Sequence, residues 1–226
     1  MDNLTSLKKL FKHEELFLQA LTHKSWVNEH KNERGSNERL EFLGDAVLEF
    51  VVSNELFRRF PDKEEGYLTA LRANLVNTQN LADLARELKV GELLLLSKGE
   101  EDGGGRENPS LLADTIEAII GALFIDQGLE AVSSFISQNI FTEIPKKIES
   151  PLKDAKSRLQ EFVQAESPPT PKYQVVGSSG PDHDKNFTVG VWVDGKAWGT
   201  GTGKNKSIAE QNAAQEALES HLVKKA

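Results

Sequence analysis

The stretch NERLEFLGDAVLEF, residues 37–50, sets acids and large apolar residues into one helical pattern. Glu38, Glu41, Asp45 and Glu49 alternate with Leu40, Phe42, Leu43, Ala46, Val47, Leu48 and Phe50. Glu41 and Asp45 are four apart and Glu38 precedes Glu41 by three, so these three acids share a helix face. Leu40, Leu43, Val47 and Phe50 form an adjacent face that is expected to be buried. Like charges at such spacings weaken an isolated helix by roughly a few tenths of a kcal/mol per pair. A bound cation would offset that repulsion.

A second stretch has the same character. ADTIEAIIGALFID, residues 113–126, places Asp114 and Glu117 three apart among Ile116, Ile119, Ile120, Leu123 and Phe124. Gly121 lets another backbone approach closely. Two such helices in contact would gather four carboxylates, an oxygen-only ligand set that suits Mg²⁺ or Mn²⁺. Such a centre can activate water and stabilise the charge that develops in phosphodiester hydrolysis. Helical acids are ordinarily solvated surface, and Glu14, Glu15, Glu49 and Glu87 read that way. The pattern by itself does not place the two helices together.

Around these stretches the chain divides in two. Residues 1–145 show apolar residues at three-to-four spacing in LTSLKKLF, EELFLQALTH, the long 37–60 stretch, GYLTALRANLVNTQNLADLARELKV and SLLADTIEAIIGALFID. Breaks fall at NERGSN, FPDKEEG and EDGGGRENP, the last read as a connection. An all-α domain is expected there. After the charged, proline-bearing PKKIESPLKD, DAKSRLQEFVQAE reads as a helix. KYQVVGSS, FTVGVWVDG and KAWGTGTG then read as strands, and SIAEQNAAQEALESHLV as a closing helix. The predicted architecture is an all-α domain followed by a small α-β-β-β-α domain, with both helices on one face of the sheet.

Charge follows the same division. The chain carries a net −8, which alone argues against a nucleic-acid partner. Residues 151–226, however, hold ten Lys/Arg and nine Asp/Glu, leaving 17 and 26 for residues 1–150. The absence of cysteine excludes disulfides and thiolate-held metals, and fits a reducing cytosol. No apolar run has the length of a membrane span, and the start of the chain lacks a signal-peptide core. A cytoplasmic protein without a membrane partner is expected.

NERLEFLGDAVL resembles the signature of the ribonuclease III family, the endonucleases of double-stranded RNA. ALTHKSWVNE, EEGYLTALRANLV and LLADTIEAIIGALFID resemble three further family motifs in the right order. The resemblance implies a catalytic domain over 1–148, a linker over 149–153 and a double-stranded-RNA-binding domain over 154–223. It implies that Glu41, Asp45, Asp114 and Glu117 are the catalytic carboxylates. Glu41, Asp114 and Glu117 would ligate Mg²⁺, with Mn²⁺ able to substitute, and Asp45 would help bind the metal and position water. Glu38 and Glu65 match acids that line the family's cleavage valley. Asn37 reads as a helix cap or as part of that site. Phe42 matches an aromatic that plugs a partner subunit, implying a homodimer that cuts both strands and leaves 5′-phosphate, 3′-hydroxyl and two-nucleotide 3′ overhangs. Ribosomal RNA precursors and structured messengers are the implied substrates, with no small-molecule cofactor.

In the C-terminal domain, Ser157, Gln160, Glu161 and Gln164 lie near one helix face, where they can reach 2′-hydroxyls across a minor groove. The family pattern aims His183 at the next minor groove. Lys204 and Lys206 stand at the start of the last helix, where free amides also favour phosphate. Phe187, Val189, Val191, Ala213, Ala214 and Ala217 read as core. Ser207 and Asp184 depart from the family's basic pattern, so modest, salt-sensitive affinity is expected. The rival reading is a non-cutting RNA-binding protein on the same fold, and the presence of all four acids favours the enzyme. An all-helical metal-binding scaffold leaves the C-terminal domain unexplained.

Overall fold

The structure, a computed structural model, describes residues 7–31, 33–149, 154–165, 169–181 and 185–222. The chain forms two compact units, Met1–Leu152 and Lys153–Ala226. In the first unit the helices are α1 (Glu14–Ala20), α2 (Lys24–Glu29), α3 (Glu38–Arg59), α4 (Glu65–Leu75) and α5 (Thr78–Glu87). They continue with α6 (Lys98–Asp102), α7 (Pro109–Gln127), α8 (Leu129–Asn139) and α9 (Ile144–Glu149). In the second unit α10 (Ala155–Gln164) precedes strands β1 (Lys172–Ser179), β2 (Asn186–Val193) and β3 (Lys196–Gly203), and α11 (Lys206–Leu222) follows them.

α7 is the centre of the first unit. Asn108 caps it by accepting from Ser110 N at 2.9 Å, and Pro109 follows where no intrahelical donor is needed. Leu112, Ile116, Ile119, Ile120 and Leu123 are almost wholly buried. Each contributes about 2 kcal/mol relative to an exposed side chain. α3 crosses this helix at a pair of glycines. A Cβ added to Gly44 would lie closer than 3.0 Å to Glu117 O and 2.9 Å from Gly121 N. One added to Gly121 would similarly overlap Leu40 O. The two backbones therefore touch, and side chains one turn from the glycines meet across the crossing.

Several local expectations are corrected. The helix expected over 66–90 is two helices, because Asn77 Oδ1 accepts from Asn80 N at 2.9 Å and starts α5 afresh. The helix expected to reach His23 ends at Ala20, because Thr22 forms an isolated parallel bridge with Leu95. Phe50, assigned to the buried face of α3, is 57% exposed. Asn37 is buried, but its side chain makes no cap; its backbone N–H donates to Thr22 O at 2.8 Å. The glycine-rich connection is tied down by Arg106, whose Nη1 donates to Gly91 O (2.9 Å) and Leu94 O (3.0 Å).

In the second unit the strands form an antiparallel sheet in the order β1-β2-β3. Asp194 and Gly195 both adopt positive φ, which matches a two-residue hairpin between β2 and β3. Val191 and Val193 pack with Leu159 and Val163 of α10 and with Ala213, Ala214 and Ala217 of α11. Phe187, expected in the core, is only half-buried.

Candidate active site

The crossing of α3 and α7 brings together acids far apart in sequence. Glu41 stands three residues before Gly44, and Glu117 four before Gly121. Carboxylate oxygens of Glu41, Asp114 and Glu117 lie within 4.8 Å of one another, and all three residues are half-buried. Burial, followed by the charges of Asp45, Asp114 and Glu41, pushes the Glu117 carboxyl up to about 7. Burial and then Asp114 raise Glu41, with Glu38 and Asp45 adding and Lys24 opposing. Burial also raises Asp114, against His23 and Lys24. A divalent cation between these three carboxylates would relieve the repulsion that resists their ionisation side by side. Their donors are all oxygen, which fits a hard divalent ion.

Asp45 is exposed and lies outside the three-carboxylate group, although its charge reaches Glu117 and Glu41. Glu38 is exposed and held by Lys24 Nζ at 3.3 Å and Ser36 Oγ at 3.1 Å. Glu65 is exposed at the head of α4 and accepts from Thr69 Oγ1 at 2.8 Å. It rims a cavity of about 480 Å³ lined also by Phe57, Phe60 and Leu68. Phe42 is 81% exposed, on the same helix as the acids but not in the core.

The chain as a whole has relatives among known proteins. Residues 13–144 match the family model described as ribonuclease-III-like, and residues 155–221 match the double-stranded RNA binding motif. The chain belongs to the ribonuclease III family. A curated relative named Ribonuclease 3, from Bacillus licheniformis, is 50% identical over 209 residues, covering 92% of this chain and 84% of that protein. Another, from Geobacillus thermodenitrificans, is 50% identical over 210 residues, covering 92% and 85%. The nuclease domain of the Campylobacter jejuni ribonuclease III superposes with a TM-score of 0.58 at 43% identity. That match covers 64% of this chain and 97% of the domain, whose structure is described for flexibility in a region involved in dimer formation.

This ribonuclease III chain also presents the expected face of α10. Ser157, Gln160, Glu161 and Gln164 are exposed, opposite the buried Leu159 and Val163. Ser157 is also part of the helix cap: Asp154 accepts from its N at 2.9 Å and from its Oγ at 3.1 Å. Lys204 and Lys206 are exposed, and between them Asn205 Oδ1 accepts from Ile208 N at 2.9 Å. His183 and Asp184 lie outside the described residues. Sequence reasoning missed His23 and Lys24, which stand beside the acids. They lie in ALTHKSWVNE, which resembles a family motif but whose spacing does not single them out.

Among the described residues no helix is long and apolar enough to cross a membrane.

Proposed function

We propose that this endoribonuclease is Mg²⁺-dependent, hydrolyses both strands of double-stranded RNA, and leaves 5′-phosphate, 3′-hydroxyl and two-nucleotide 3′ overhangs. The observation that carries the proposal is the convergence of Glu41, Asp114 and Glu117 within 4.8 Å in a chain of this family. These three residues would hold the ion, with Asp45 beside them. When bound, Mg²⁺ or Mn²⁺ supplies charge for the phosphate and a nucleophile at neutral pH. The chain itself supplies the rest. α3 and α7 fix the carboxylates on rigid helices, Asp45 faces solvent where it can orient water, and Glu38 lines the approach.

The function divides along the chain as 1–148 for cleavage, 149–153 as linker and 154–223 for RNA binding. Ser157, Gln160, Glu161 and Gln164 contact 2′-hydroxyls, His183 reaches a second minor groove, and Lys204 and Lys206 meet phosphates. The substrates are ribosomal RNA precursors and structured messengers, processed in the cytoplasm. The deciding experiment is cleavage of a long labelled RNA duplex, with and without Mg²⁺, beside the single strand and a DNA duplex. Mg²⁺-dependent cutting of the RNA duplex alone is expected; tight binding without cutting in either ion would leave only the non-cutting RNA-binding reading.

The working unit is a homodimer. Phe42, Phe50 and Phe57 are 81%, 57% and 73% exposed and lie on one side of α3. In a two-fold antiparallel pairing of α3 with its copy, Phe50 sits near the axis and Phe42 faces the cavity beside Phe57. Glu65, on the rim of that cavity, then approaches the carboxylates of the other copy. Phe42→Ala removes this plug twice per dimer, at about 2 kcal/mol each, which weakens association roughly a thousandfold. Sedimentation at low concentration should find monomer; an unchanged mass would make Phe42 an ordinary surface residue.

The raised Glu117 carboxyl gives a pH test. Because its folded value, about 7, exceeds the ordinary 4.5, its contribution favours the fold below 4.5 and is lost as pH rises towards and through 7. The metal-free protein should therefore melt lower across that window, while the stabilisation by Mg²⁺ grows with ionisation. Melting curves at about pH 6 and about pH 8, with and without Mg²⁺, check this. An equal Mg²⁺ shift at both values would remove the carboxylates from the metal site.

A further inference from the structure

The segment leading into α2 is fastened from two sides. His23 N–H donates to Leu95 O at 3.0 Å, and Leu95 N–H to Leu21 O at 2.9 Å. Thr22 O accepts from Asn37 N–H at 2.8 Å, one residue before α3 begins. Thr22 is fully buried, and its hydroxyl donates to Leu18 O at 2.7 Å. His23 is thus held at the head of the helix that carries Glu41.

The ring of His23 is oriented as firmly as its backbone. Ser25 N–H points at Nδ1 at 3.3 Å, and Ser25 Oγ lies 2.8 Å from the same nitrogen. A backbone N–H can only donate, so Nδ1 is an acceptor. The lone pairs of Ser25 Oγ take the N–H of Ser97 at 3.0 Å, which leaves the hydroxyl proton for Nδ1. With Nδ1 committed as an acceptor, the neutral ring carries its proton on Nε2. Among the described residues Nε2 has no acceptor. His23 is also the first opposing influence on the burial-raised Asp114, ahead of Lys24. Lys24 is a poorer fixed donor, since its exposed ammonium is engaged with Glu38 at 3.3 Å.

We infer that His23 is a catalytic residue of this cleavage, its Nε2–H donating to a non-bridging oxygen of the scissile phosphate beside Glu41, Asp114 and Glu117. The inference rests on the endonuclease reading above. A phosphate entering this site meets acids on both α3 and α7, and charge on its oxygens increases during attack. A donor already oriented by Ser25 and Ser97 stabilises that charge without reorganisation.

Three full-length variants separate this role from a structural one. Gln places an amide N–H close to the position of Nε2; Asn keeps an acceptor near Nδ1 for Ser25 but has nothing at Nε2; Ala has neither. Single-turnover cleavage of duplex RNA in Mg²⁺ is read beside duplex affinity in Ca²⁺ and thermal melting. His23→Ala and His23→Asn should cut at least about tenfold more slowly at wild-type affinity, towards the hundredfold or more that such donors contribute in closed sites. His23→Gln should recover most of the rate. Wild-type cleavage by His23→Asn, or rescue by Asn and not by Gln, would reduce His23 to a cap of α2 and overturn the inference. If the wild-type protein does not cut at all, the endonuclease reading fails first, and the ring itself then decides. An Nε2–H resonance that shifts on adding duplex RNA in Ca²⁺ supports the phosphate contact; one that stays in place overturns it.

Discussion

Glu117→Gln is expected to abolish cleavage while leaving fold and duplex binding intact. Glu117 carries the largest shift among the three gathered acids, because burial and three neighbouring charges all oppose its ionisation. Glutamine keeps the shape and a hydrogen-bonding head but removes the charge that a divalent ion requires. The rate should fall by at least about a thousandfold, equivalent to about 4 kcal/mol of transition-state stabilisation. A second consequence has the opposite sign. Without metal, the wild-type protein at neutral pH holds acids that repel one another, so Glu117→Gln should melt higher than wild type. Its melting temperature should also respond less to Mg²⁺. Single-turnover kinetics and melting curves in the two conditions check both halves. Cleavage at the wild-type rate would sink the proposed metal site, and a lower metal-free melting temperature would show that Glu117 supports the fold instead of straining it.

The parts of this structure that could be read in advance are those fixed by local pattern. β1 and β3 span the predicted KYQVVGSS and KAWGTGTG, because turn residues bracket each alternating run. α3 and α7 follow their apolar spacing almost to the residue. What escaped was set by contacts distant in sequence. The end of α1 depends on Leu95, which the spacing of residues 14–23 cannot reveal. The division at Asn77 depends on a side-chain cap inside an otherwise continuous apolar repeat. Phe50 shares its spacing with core residues, yet α3 has an exposed apolar side as well as a buried one, and periodicity does not tell them apart. At the site, the pairs Glu41/Asp45 and Asp114/Glu117 were visible, but their meeting was not. His23 and Lys24 carried no spacing signal at all, since a tertiary bridge brings them to the acids.

That meeting rests on two glycines, and their substitution is the most disruptive single change expected in the fold. In Gly44→Ala, the new methyl would overlap the Glu117 carbonyl and press on Gly121 N at 2.9 Å. Both obstacles are backbone, so no side-chain rotation relieves them; α3 and α7 must separate. The two helices share the buried residues of the central core, and forcing them apart loosens contacts along both. Overpacking ordinarily costs about 1–3 kcal/mol, but a rigid backbone clash at a central crossing should exceed this, on the order of 4 kcal/mol or more. The usual gain in helix propensity from Gly to Ala, about 1 kcal/mol, is too small to compensate. Gly44→Ala should therefore lower the melting temperature sharply or leave the first unit unfolded. Gly66→Ala is the control, since a Cβ there meets nothing within 4 Å, and it should be neutral or slightly stabilising. Any Gly44→Ala protein that still folds should bind Mg²⁺ less tightly, because the shift that admits the methyl moves Glu41 away from Glu117. Wild-type stability and metal affinity in Gly44→Ala would mean that the helices do not cross at these residues, and the site built on that crossing would fall with it.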